Sequence, residues 1–97
     1  MAADDPHPEI PQELALSVYP NPFNSSTTIS LSIPLGVKRV QLKTINILGQ
    51  VVQSTEQKVN AGHSTVHYDG SDLPTGIYFL QAQAKAFRSV TKLVVLK

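Results

Sequence analysis

Between Leu14 and Lys97 the chain runs in short alternating stretches, and none keeps the 3.6-residue period of an amphipathic helix for long. The clearest is Thr27–Ile33. There Ile29, Leu31 and Ile33 fall on one side and Ser30 and Ser32 on the other, the period of two that a half-buried strand needs. Over residues 38–48, Val40, Leu42 and Thr44 alternate with Gln41 and Lys43, and then Ile45 and Ile47 take the opposite phase. A β-bulge near Thr44, or burial on both faces there, accounts for the slip. The pattern predicts strands over Leu14–Tyr19, Thr27–Ile33, Lys38–Leu48, Gln50–Val59, Ser64–Tyr68, Gly76–Ala84 and Phe87–Leu96. Strands this short and numerous predict an all-β fold, an Ig-like antiparallel β-sandwich of about seven strands, rather than a closed barrel.

The breaks carry turn chemistry. Leu48-Gly49-Gln50 offers Gly49 for a positive φ, Asn60-Ala61-Gly62 offers Gly62, and Leu73-Pro74-Thr75-Gly76 has the proline and glycine spacing of a type I turn. Each is expected to close a hairpin, so pairing between sequence neighbours should dominate. Ahead of the strands, residues 1–13 hold Asp4, Asp5, Glu9 and Glu13 with Pro6, Pro8 and Pro11. That stretch has little apolar surface to offset its ordering, and reads as a linker between domains rather than a natural beginning. Residues 14–97 form the folded unit.

Composition narrows the function. A chain of 97 residues supports one small domain, and without cysteine neither a disulfide nor a thiolate metal site holds it together. The net charge of +1 disfavours nucleic acid, whose binding needs a basic patch to displace phosphate counterions. No apolar run approaches the roughly 20 residues of a membrane-spanning helix, and the start lacks the basic and apolar regions of a signal peptide. His63 and His67 on one strand would sit about 13 Å apart, too far to share an ion. Asp69-Gly70-Ser71-Asp72 reads as an Asp-Gly turn; it lacks the further acidic ligands of a calcium loop. Asn24-Ser25-Ser26 reads as a polar turn. Neither a nucleophile elbow nor a paired-carboxylate arrangement is present, which predicts a protein that is not an enzyme and takes no cofactor. Tyr68, Tyr78 and Phe79 are expected in the core, leaving no exposed aromatic row for a sugar.

Two features need more than a local explanation. In Pro20-Asn21-Pro22-Phe23 the prolines fix φ and hold Tyr19 and Asn21 extended, a stiff kink with an aromatic knob that should end the first strand and cap the sandwich. In the terminal strand Leu93 and Val95 share one face and Val94 and Leu96 the other, so one face enters the core and the other needs a cover, from a loop or from a partner. Lys92 and Lys97 bracket this run, and four of the eight basic residues fall between Lys85 and Lys97.

These residues carry a family likeness. Tyr19-Pro20-Asn21-Pro22-Phe23-Asn24, Ser26-Thr27-Thr28-Ile29, Asn46-Ile47-Leu48-Gly49-Gln50-Val51-Val52, Ala61-Gly62-His63, Asp69-Gly70, Leu73-Pro74-Thr75-Gly76-Ile77-Tyr78-Phe79-Leu80 and Lys92-Leu93-Val94-Val95-Leu96-Lys97, in that order, resemble the type A C-terminal sorting domain of type IX secretion cargo. The resemblance implies a signal that takes a larger cargo protein, lying N-terminal to it, through the periplasm to an outer-membrane translocon. There a sortase-like peptidase cleaves ahead of the domain, and the cargo is attached to the surface or released. It also implies where recognition lies: Pro20, Asn21, Pro22 and Phe23, then Gly76, Tyr78 and Leu80, then Lys92, Val94, Val95, Leu96 and Lys97. The pattern is similar as well to the Ig-like domain of flagellar hook-assembly proteins, which would make the chain a structural or assembly module. A carbohydrate-binding appendage is the remaining alternative.

Overall fold

A computed structural model describes residues 11–97. The linker expected over 1–13 therefore lies outside the described residues except for its last three positions. The strands are β1 (Ala15–Tyr19), β2 (Ser26–Ile33), β3 (Arg39–Asn46), β4 (Val51–Lys58), β5 (Gly62–Asp69), β6 (Gly76–Ala84) and β7 (Phe87–Val95). They form two antiparallel sheets packed as a sandwich, β1-β2-β5 against β4-β3-β6-β7.

Alternation decides the core. Ile29, Leu31 and Ile33 of β2, Val40 and Leu42 of β3, Leu80 and Ala82 of β6, and Leu93 and Val95 of β7 are almost wholly removed from water. Each buried side chain of this size contributes about 1.5–3 kcal/mol over its exposed state. The slip expected near Thr44 coincides with a register shift between Thr44 and Ile45 against β4, whose extra residue is Val52 of β4; Thr44 is buried and Ile45, next in the alternation, lies half-buried on the outer side. Gly49 closes the β3–β4 hairpin at φ 83°, as its position predicts.

Three sequence expectations fail. Asn60–Gly62 and Leu73–Gly76 do not close hairpins, because β4 and β5 belong to different sheets, as do β5 and β6. Turn composition marks a reversal but not whether the next strand returns to the same sheet. The hydrogen-bonded turn of the second connection is Gly70–Leu73, where Leu73 N–H donates to Gly70 O at 3.0 Å. Gly76 has no positive φ, and a Cβ there would meet Tyr78 at an ordinary 3.7 Å, so nothing at that position demands glycine. Phe79 is not in the core but 40% exposed. With Tyr78 and Leu80 inward, the pleat turns Phe79 outward.

Candidate functional site

Every strand pair is antiparallel, and the segment after β1 bonds the end of β7, so the C-terminal ends of β1, β3, β5 and β7 lie at one end of the sandwich. There the segments Pro20–Phe23, Asn46–Gln50, Asp69–Gly76 and Lys92–Lys97 come together although 68 residues lie between the end of the first and the start of the last. Only Ala61-Gly62-His63, at the start of β5, lies at the other end.

Pro20–Phe23 joins β1 to β2 of the same sheet by way of the edge of the other sheet, where Phe23 bridges Val95. Both the Tyr19–Pro20 and the Asn21–Pro22 bonds are cis. The buried hydroxyl of Thr27 donates to Pro20 O at 2.6 Å. Asn21 then imitates a strand residue with its side chain: its Nδ2 donates to Lys92 O at 2.8 Å and its Oδ1 accepts from Val94 N–H at 2.9 Å. Phe23 does the same with its backbone, accepting from Leu96 N–H at 2.8 Å and donating to Val94 O at 3.1 Å, which makes a parallel bridge to Val95. The chain's own kink thus closes the edge of the terminal strand but not its outer face, where Val94 is half-buried and Leu96 stays 59% exposed.

The Phe23 ring drives into the sandwich to 4% exposure and meets Tyr68 edge-on, centroids 6.1 Å apart and planes at 86°. Such aromatic pairs add about 0.5–1.5 kcal/mol beyond the area they bury. Tyr68 Oη shares a short buried hydrogen bond with Thr44 Oγ1. Burial pushes the Tyr68 phenol above its ordinary range, and the hydrogen bond with Thr44 only partly opposes this. Beneath the ring passes Gly70, so close that a Cβ there would stand 2.8 Å from Phe23 Cε2.

Neighbouring contacts fix the rest of this end. Tyr78 Oη donates to Pro74 O at 2.7 Å, four residues upstream, the tyrosine corner that joins a connecting loop to the strand after it in many Ig-like sandwiches. The last residue is tied down twice: Lys97 N–H donates to Thr75 Oγ1 and Lys97 Nζ to Ser71 O, both at 2.9 Å. Asp69 Oδ1 accepts from Ser71 N–H at 3.0 Å, an Asx turn, and this bond is the main cause that holds its carboxyl below the usual range. A carboxyl depressed on folding contributes stability above the unfolded pKa and loses it as pH falls through the folded one. Stability of the domain is therefore expected to decline on acidification through the carboxylate range, and D69N is expected to flatten that decline in denaturation midpoints measured at a series of pH values.

The recognition residues divide cleanly. Phe23, Tyr78, Leu80 and Val95 are buried and build the end; Pro20, Asn21, Pro22, Lys92, Leu96 and Lys97 are exposed and Val94 is half-buried. Gly76, half-buried, begins β6. Thr44 and Ser71 belong to the same arrangement although neither stands in a quoted motif, and their partners Tyr68 and Lys97 are remote in the chain. The exposed Ile47 (74%) and Leu48 (78%) at the tip of the β3–β4 hairpin belong to this end too.

Chemistry elsewhere is sparse. Ser32 Oγ lies 3.5 Å from His63 Nδ1 on the exposed face of the three-stranded sheet, but among the described residues no carboxylate bonds that histidine. Among the described residues no group of three His, Cys, Asp or Glu side chains gathers for a metal, and no helix is long and apolar enough to cross a membrane.

A family model described as a secretion system C-terminal sorting domain matches residues 17–96. The chain belongs to this family: it is a C-terminal sorting domain of the type IX secretion system, a signal for export of a cargo protein to the cell surface or medium. No curated protein matches the chain.

Proposed function

We propose that the motif-bearing end of the sandwich is the surface the outer-membrane machinery reads, acting as a non-catalytic label for a cargo N-terminal to residue 1. The observation that carries this reading is the convergence of the family motifs at one end, with buried members holding exposed ones in fixed relation. Asn21, Pro22, Leu96 and Lys97 along the β7 edge, and Ile47 and Leu48 at the β3–β4 hairpin tip across the same sheet, present mixed polar and apolar surface at this end. Rigidity favours recognition because little freedom is lost on docking. On this reading the cargo crosses the periplasm, a sortase-like peptidase cuts in the linker ahead of Leu14, and the cargo is attached or released.

The test is a passenger fused between a signal peptide and this chain, followed in cells with an intact type IX system and in a translocon mutant. Deleting Lys92–Lys97 is a poor probe, because it removes Leu93 and Val95, both at 0% exposure, and would unfold the domain. The I47D/L48D variant is better. These side chains touch solvent, so its melting point is expected to stay near that of the parent, within about 0.5 kcal/mol per site, while export falls. Surface delivery that does not depend on the translocon would end the sorting reading and favour the assembly module.

A further inference from the structure

β7 is the edge of the four-stranded sheet, and an edge presents N–H and C=O groups ready for another strand. Its C-terminal half is closed by the chain itself, since Asn21 and Phe23 take up Lys92 O, both groups of Val94 and Leu96 N–H. Along a strand, alternate residues direct both backbone groups to the same side, and β7 pairs with β6 without a register shift. The N–H and C=O of Arg88 and Val90, and the N–H of Lys92, therefore face the same side as the kink, where β1 passes close to β7 without hydrogen bonding to it. Among the described residues they have no partner there. The side chains of Arg88, Val90 and Lys92 stand on the outer face of the sheet, all exposed, with Val90 at 52%.

Among the described residues, charge on that face is mainly positive. Register places Arg39, Lys43 and Lys58 on it together with Arg88 and Lys92, and its one carboxylate, Glu56, is already 3.3 Å from Arg39. We propose that the open stretch Arg88–Lys92 receives an extended strand of the export machinery, acidic at two alternate positions and apolar between them, as a fifth strand of this sheet. The proposal rests on the sorting reading above. Backbone bonds supply the pairing, while residues opposite Arg88 and Lys92 supply the charge match and the residue opposite Val90 the apolar contact. A second copy of this chain is the wrong occupant. Two β7 strands paired antiparallel about Val90 would set Arg88 against the Lys92 of the other copy, and like charges directly opposite repel.

The binding test uses the full chain and two synthetic peptides, one centred on Glu-Thr-Val-Thr-Glu and one on Lys-Thr-Val-Thr-Lys. The acidic peptide is expected to slow amide hydrogen exchange at Arg88 and Val90 at least about tenfold, an effect that salt weakens. R88E/K92E should lose this protection and gain it with the basic peptide. Protection centred on β1 or β4, or none, overturns the proposal. In the export assay V90E, which sets an acid against the incoming strand and touches no core residue, is expected to reduce delivery at least about tenfold. Parent export with undiminished V90E export removes this proposal and leaves sorting standing, whereas no translocon-dependent export of the parent removes the sorting reading itself.

Discussion

Phe23→Ala will destabilise the domain by about 3–5 kcal/mol, the range for deleting a buried phenylalanine ring, read as a lower midpoint in chemical denaturation. Three losses combine. The ring vacates a site at 4% exposure, Tyr68 loses its edge-on neighbour, and the stiff kink loses the anchor that holds it on β7. For a domain of this size each kcal/mol lowers the melting temperature by about 4–8 °C, so a fall of roughly 12–40 °C is expected. Export of a fused passenger is expected to fail with it, but in step with stability. An exposed motif residue behaves differently: I47D/L48D is expected to lose export without melting. That contrast separates the motif's architects from its readable surface.

The proline-aromatic motif therefore owes much of its form to folding. Pro20 and Pro22 aim the segment, Asn21 supplies a strand's pair of hydrogen bonds from a side chain, and Phe23 locks the result. Without it the C-terminal half of β7 would be a bare edge, which proteins rarely leave uncovered. The segment also joins the sheets, since it leaves β1 in one and bridges β7 in the other. The same closure limits how a receptor strand could add. The end of β7 that carries the terminal lysine motif is already paired, and only the stretch before it is open.

What was legible in the sequence follows from range of interaction. The alternation in β2, the bulge at Thr44 and the positive φ at Gly49 are local consequences of side-chain pattern and backbone sterics, and they read directly. In β6 the reading fails at Phe79 because Ile77, Tyr78, Phe79 and Leu80 are all apolar, so alternation has no polar partner to set the phase. The two connections taken for hairpins failed because sheet membership is a long-range choice: β5 pairs with β2, and β3 with β6. The candidate site was half legible. Its motifs could be named, but their meeting at one end, and which of them face water, depends on pairings that no local pattern encodes.

Gly70 is the sharpest case of what local reading missed. As the second residue of Asp69-Gly70 it reads as an ordinary turn glycine. The backbone at Gly70 has no positive φ, so its requirement is purely steric: an added Cβ meets Phe23 Cε2 at 2.8 Å, Phe23 Cζ at 3.0 Å and Tyr68 Cε2 at 3.4 Å. Neither ring can yield easily, one being anchored on β7 and the other held by Thr44. Nor can the loop, because Gly70 N–H donates to Ser25 O at 2.8 Å. Gly70→Ala is thus expected to cost about 1–3 kcal/mol, the penalty for overfilling a packed interior. The cause can be isolated. In a Phe23→Ala background the clash is gone, and the same substitution is expected to be neutral or to stabilise by up to about 1 kcal/mol, because alanine narrows the unfolded ensemble relative to glycine. The two effects are therefore strongly non-additive, with a coupling of about 1–3 kcal/mol in a double-mutant cycle. If Gly70→Ala costs as much without the ring as with it, steric support of Phe23 is not why glycine stands there, and the Asp69 turn itself must require it.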